Sequence, residues 1–157
     1  MTETRAAIRH LTKAEIEAFL RRHHVGRMAF LNGRRVDIEP VSYVYSDGAL
    51  YGRAAQGSRM SALAGQPWVA FEVDEIRGPF DWESVVIKGT VYIVEPSEMS
   101  PMREAHEAAL RILRSAMPGA FTAGDPAPER TIILRLHIDE MEGRSMRPPD
   151  KGKKRLD

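Results

Sequence analysis

A chain of 157 residues is long enough for one domain with a real core and too short for two comfortable ones. Its hydrophobic share of 43% and charged share of 29% fall in the globular range, no apolar run approaches the roughly 18 residues of a membrane span, and the lack of cysteine excludes disulfides and thiolate chemistry. The net charge of +1 divides unevenly: six Lys or Arg against two Asp lie from Gly143 onward, leaving the body near −3 and the tail near +4.

The first ten residues lack the apolar core of a signal peptide, so a cytoplasmic location is expected. Thr12 and Glu15 have the spacing of a capping box, and Leu11 and Ile16 that of a hydrophobic staple, which predicts a helix from Lys13. Ile16, Phe19 and Leu20 form its apolar stripe, and Arg21, Arg22, His23 and His24 bring cations to the negative end of its dipole. Successive helical side chains diverge by roughly 100°, so the His pair is not expected to share a metal ion.

Gly26 to Leu31 reads as a strand, Asn32-Gly33 as a hairpin turn, and Arg35 to Tyr45 as the returning strand. Pro40 cannot donate to a ladder, so an edge position or a bulge is expected there, with backbone groups left for a ligand. Tyr43, Tyr45, Leu50 and Tyr51 flank Ser46-Asp47-Gly48 as a second hairpin. It runs into Gly57-Ser58-Arg59, which opens a short helix with Met60 and Leu63 inward and Gly65-Gln66-Pro67 as its stop. Free N–H groups at that helix start, joined by the forked donor of Arg59, would hold a dianionic phosphate without a metal. The alternative is an ordinary strand-to-helix connection with a solvated Arg.

Trp68 to Asp74 alternates as a strand, and after Gly78-Pro79 comes the long run Trp82 to Val94, within which Ser84 to Val94 is the longest β-rich segment. Gly89 inside it predicts a bend or a close backbone approach. Ser100-Pro101 reads as N-cap and first helical position, with Met102, Ala105, Ala109, Ile112 and Leu113 inward and His106 off the stripe. Ser115 to Glu129 reads as loop and Thr131 to Ile138 as the last strand, with His137 toward solvent or a barrel end. Six antiparallel strands predict a mainly β fold with helices: a small antiparallel barrel flanked by helices, in a single domain over 1–142. Residues 143–157 are expected to be a solvated, disordered basic tail, with no aromatic to stack a base, so nucleic acid is not an expected partner.

The usual signatures of nucleotide hydrolysis, zinc proteolysis and serine acyl transfer are missing. Asp74, Glu75, Asp81 and Glu83 gather around one loop but read as wet acidic residues, so any chemistry here is expected to be carried by a cofactor.

The order of Gly26-Arg-Met-Ala29, Pro40-Val-Ser-Tyr43, Leu50-Tyr-Gly-Arg-Ala54, Gly57-Ser-Arg59 and Trp82-Glu-Ser-Val-Val-Ile-Lys-Gly89 resembles the pyridoxamine 5′-phosphate oxidase-like flavoproteins, in the branch with nitroimidazole-reductase-like proteins. The resemblance covers Leu11 to Val94 well and the rest in outline. It implies a six-stranded split β-barrel that forms a homodimer and holds flavin mononucleotide (FMN) at the subunit interface. By position, Val41, Ser42 and Tyr43 would line the flavin ring and ribityl chain, Ala54 and Ala55 would run beside it, and Ser58 and Arg59 would take the phosphate. Trp82 and Ser84 would come from the partner subunit. Met60 stands where many relatives have Lys, and Arg53 where that branch often has His. Arg53 would add positive charge near the flavin, or else pair with Glu72 or Asp74 as a barrel-rim cation.

The implied function is an FMN-dependent oxidoreductase acting on a small conjugated acceptor. Its alternatives are a flavin-binding dimer without turnover and a reductase using the deazaflavin F420. Met28, Phe30, Trp68, Phe71 and the Trp82 strand offer more large apolar groups than one small barrel needs, which favours the dimer.

Overall fold

The structure is a computed structural model that describes residues 5–149. In chain order it contains β1 (Ala7–His10), α1 (Lys13–Arg22), β2 (Val25–Asn32), β3 (Arg35–Ser46), β4 (Ala49–Ala54), α2 (Ser58–Gly65), β5 (Trp68–Gly78), β6 (Asp81–Val94), α3 (Met102–Ala116) and β7 (Ile132–Arg147). The sheet runs β1-β7-β4-β3-β2-β5-β6, and β6 pairs back onto β7. Six antiparallel strands therefore close a split barrel, with β1 appended outside the ring. No helix among the described residues is long and apolar enough to cross a membrane.

Local sequence accounts for most of the boundaries. The Thr12 hydroxyl accepts from Glu15 N, while the Glu15 carboxylate accepts from Thr12 N, so both halves of the capping box are made. Asp47 and Gly48 both have positive φ, as a two-residue hairpin requires, and Gly33 has φ +64° at the other hairpin. At Gly89 a β-carbon would lie 2.3 Å from the His137 carbonyl oxygen, where the β6–β7 register slips by one residue. That bulge is the bend expected at Gly89.

The barrel interior is filled from both ends. Ile16, Phe19 and Leu20 of α1 plug one end, and Met60 and Leu63 of α2 the other, around Phe71, Val73, Val85 and Ile87. Each fully buried side chain of this size contributes about 1.5–3 kcal/mol relative to exposure. Outside the barrel, Ala109 and Leu113 of α3 cover Val44 and Ile133. The first turn of α3 does not join that contact: Met102 and Ala105 are exposed, and the helix begins one residue later than Pro101.

Three sequence expectations need correction. Gly143–Arg147 is not tail but the end of β7, paired with β1 on one side and β6 on the other. Gly143 and Ser145 face inward without large side chains because Leu11 and Ile16 pack directly on Gly143, so the usual apolar alternation of a strand is missing. The rest of the basic segment, from Asp150, lies outside the described residues. Met28, Phe30 and Phe71, read as surplus apolar groups, are core residues at 3% exposure. Trp68 is exposed as that reading required, and the rest of the surplus lies at Ile8, Val36, Ile38, Ile76 and Phe80.

The acidic loop is also drier than expected. Glu83 is buried and bound by Arg22 at 2.8 Å and Arg147 at 2.5 Å, while Asp81 pairs with Arg77 and Arg147. Cations from α1, β5 and β7 thus tie three elements to the start of β6.

Candidate functional site: the barrel seam

β3 pairs with β4 only over Tyr43–Ser46, and from Ser42 back to Arg35 its ladder is to β2 alone. β4 instead continues beside β7 as far as Ala54. The two strands part at Gly52, where a β-carbon would meet the Ser42 carbonyl oxygen at 3.2 Å. Beyond that point lies a seam. One lip is the unpaired edge of β3, including Pro40, which takes the edge position expected for it. The other lip is Arg53–Ala55 followed by the first turn of α2.

α2 starts differently from α1. Its N-cap, Gly57, supplies no side-chain acceptor, so the N–H groups of its first turn have no cap. Arg59 reaches across the seam to an ion pair with Glu39 of β3. An anion at this place would meet uncapped N–H groups, a Ser58 hydroxyl and a guanidinium, in competition with one carboxylate.

The seam gathers Ser42 on one lip with Ala55, Ser58 and Arg59 on the other, while Val41 turns inward and packs against the core. Tyr43 does not join them. It is 1% exposed, its hydroxyl donates to Leu20 O at 2.9 Å, and burial holds its phenol well above the usual range. Inward-facing positions on β3 fall at odd numbers, which turns Tyr43 into the core and Ser42 outward. Ala54 and Met60 are likewise core residues. Trp82 and Ser84 lie on the outer wall of β6, in register with Ile76 and Met146 and with Asp74 and Arg144, and are not part of this seam.

Arg53 is neither a free cation nor a partner of Glu72 or Asp74; those carboxylates face Arg27, at 4.0 and 3.6 Å. Arg53 is buried beneath the segment between α3 and β7. It binds Asp125 at 2.5 and 3.2 Å and donates to the carbonyls of Ala127 and Arg130, with Phe121 stacked 4.3 Å from the guanidinium. Asp125 in turn accepts from the N–H groups of Phe121 and Ala127. These bonds, led by that from Arg53, hold its carboxyl far below the usual range. Sequence reading missed this clamp, although Asp125-Pro126-Ala127 has the spacing of an Asx turn. Beside it, Ser42, Arg53 and residues of the 117–130 segment enclose a cavity of about 270 Å³.

The two histidines after α1 are engaged separately: His24 Nδ1 lies 3.2 Å from Tyr43 O, and His23 Nε2 lies 3.5 Å from Glu75.

Comparison with known proteins agrees with this architecture. Curated proteins include no significant match. Among solved structures, an FAD-binding protein from Mesorhizobium loti superposes with a TM-score of 0.69 at 23% identity, covering 88% of this chain and 97% of that one. A proposed 5-nitroimidazole antibiotic resistance protein from Bacteroides thetaiotaomicron gives 0.67 at 17% identity, with 90% and 89% covered. An F420 reductase gives 0.57 at 16% identity, with 80% and 94% covered. The family model for pyridoxamine 5′-phosphate oxidase matches residues 12–145, nearly the whole barrel. On that match, the chain belongs to the pyridoxamine 5′-phosphate oxidase family.

Proposed function

We propose that this protein binds a flavin, FMN foremost, in the seam between β3, β4 and α2, and serves as a flavin-dependent oxidoreductase for a small conjugated acceptor. One observation carries the reading: the lip opposite the unpaired β3 edge combines an uncapped helix N-terminus, Ser58 and Arg59, a donor set suited to a phosphate. Ser42 and Ala55 would flank the rest of the cofactor, with Val41 packed behind Ser42 in the core. Arg53, Ala54 and Met60 support the lip from behind. When bound, a flavin supplies hydride and electron transfer, and the chain's own part is binding, orientation and electrostatics.

A homodimer belongs to this proposal, with Trp82 and Ser84 of each protomer completing the other's site. In its support, Ile76, Trp82, Met146 and Ile8 stand opposite one another across β5, β6, β7 and β1, forming an apolar row on the outer wall. Ile8 and Ile76 are 59% and 69% exposed, more than an isolated barrel wall ordinarily leaves in one row. A cytoplasmic location is part of the same proposal.

The deazaflavin F420 has its own support. Met60 is turned into the core and Arg59 already faces Glu39, so the phosphate end carries less positive charge than two cations would give. Titration of FMN, FAD and F420 into wild type and Arg59→Ala, followed by absorbance and fluorescence, separates the readings. Micromolar FMN binding weakened about tenfold in the variant supports the proposal. Selective F420 binding moves the same seam to the deazaflavin. Binding of none of the three overturns the flavin reading.

A further inference from the structure

The cavity beside the Arg53–Asp125 clamp has no part in the seam's phosphate end, yet Ser42 belongs to both the cavity and the β3 lip of the seam. At about 270 Å³ it lies just below the range of sites for drug-sized ligands, and suits a molecule of one ring. Its lining is mostly apolar, with Met117, Pro126 and Ala127 alongside Ser42, Arg53 and Arg130. The thioether of Met117 is polarizable and favours aromatic contact.

Charge narrows the ligand further. Arg53 is neutralised by Asp125, with both side chains at most 6% exposed. Arg130 stands exposed at the cavity's rim, and its guanidinium has no ion pair among the described residues. The Ser42 hydroxyl likewise has no hydrogen-bond partner among them. The cavity therefore has one unmatched positive charge at its rim, one free hydroxyl and a mostly apolar lining.

We propose that this cavity binds a small planar aromatic monoanion, of the aromatic carboxylate type, with its ring against Met117, Pro126 and Ala127 and its anionic group toward Arg130 and Ser42. The seam reading makes this molecule the substrate class of the proposed oxidoreductase, whereas its binding does not depend on a flavin. The clamp gives the site its rigidity, since Arg53 fastens Asp125, Ala127 and Arg130 in one network.

The test is calorimetric titration of 4-nitrobenzoate and of uncharged nitrobenzene into the protein as purified and after loading with FMN. 4-Nitrobenzoate binds more tightly than nitrobenzene; Arg130→Gln weakens it about tenfold, as loss of a charge-assisted contact does, and leaves nitrobenzene unchanged. Ala127→Trp, which fills the cavity, abolishes both. Equal binding of the two probes, or indifference of 4-nitrobenzoate to Arg130→Gln, overturns the proposal. If the probe responses appear and FMN does not bind, the cavity stands and the flavin reading falls. If FMN binds and the probe responses fail, the reverse holds.

Discussion

Arg59 of α2 and Glu39 of β3 form an ion pair across the seam, joining two elements whose backbones are not paired there. An anionic phosphate at the α2 N-terminus would share Arg59 with Glu39 and be repelled by that carboxylate. The two residues should therefore act on flavin binding in opposite directions. Arg59→Ala is expected to weaken FMN about tenfold, and Glu39→Gln to tighten it by roughly two- to fivefold, the range of a partly exposed ion pair. Fluorescence quenching titration reads both, and a Kd that moves the same way in the two variants would remove the phosphate from this place.

Tyr43→Phe distinguishes a core residue from a cofactor contact. Loss of the hydroxyl leaves the Leu20 carbonyl without its buried partner, at a cost of about 1–3 kcal/mol in urea unfolding. FMN affinity should stay within a factor of two. A large loss of affinity with little loss of stability would return Tyr43 to the site.

Glu72 sits on the outer wall with its Oε1 buried and without a hydrogen-bond partner. Burial, followed by the neighbouring Asp74 carboxylate, pushes it up to about 7 against a weaker pull from Arg27. Its folded form holds a proton that the unfolded chain releases near pH 4.5, so stability from this group falls as pH rises from about 4.5 to about 7. Glu72→Gln should flatten that decline and be more stable than wild type at pH 8, with no gain at pH 4. Thermal melts across this range test it; a wild-type melting curve that climbs through the window in parallel with the variant's would contradict the assignment.

The Arg53–Asp125 clamp has the opposite sign. Asp125 is held well below the usual carboxylate range, so its contribution is intact above that range and is lost only in strong acid. Hydrogen exchange in residues 117–131 should accordingly be unaffected by titration of Asp125 between pH 5 and 8, after correction for intrinsic rates. Asp125→Asn should open the segment to proteolysis near Phe121 while the barrel amides stay protected. Uniform loss of protection throughout the chain would show that the clamp supports the whole fold rather than the segment.

Gly89→Ala places a β-carbon against the His137 carbonyl oxygen at 2.3 Å, a backbone atom that cannot swing aside as a side chain would. It should cost about 1–3 kcal/mol, as overpacking does. Gly57→Ala meets nothing within 4 Å and should stay within about 0.5 kcal/mol of wild type. Paired denaturation curves check the contrast.

Much of this protein was legible in local pattern. The Thr12–Glu15 capping box, the Asp47-Gly48 hairpin, the Gly57-Ser58 helix start and the edge role of Pro40 all depend on residues within a few positions of one another, where steric and hydrogen-bonding rules act directly. The order of short motifs also carried the family and the barrel. Tertiary structure decided the rest, because the partners lie far apart in the chain. Tyr43 belongs to the core because Leu20, 23 residues earlier, accepts its hydroxyl. Arg53 is a clamp because Asp125, 72 residues later, folds beneath it. Gly143–Arg147 is strand because β1 and β6 flank it, although its own side chains hardly alternate in hydrophobicity. Such assignments follow from which surfaces meet when the barrel closes, and no local propensity encodes that closure.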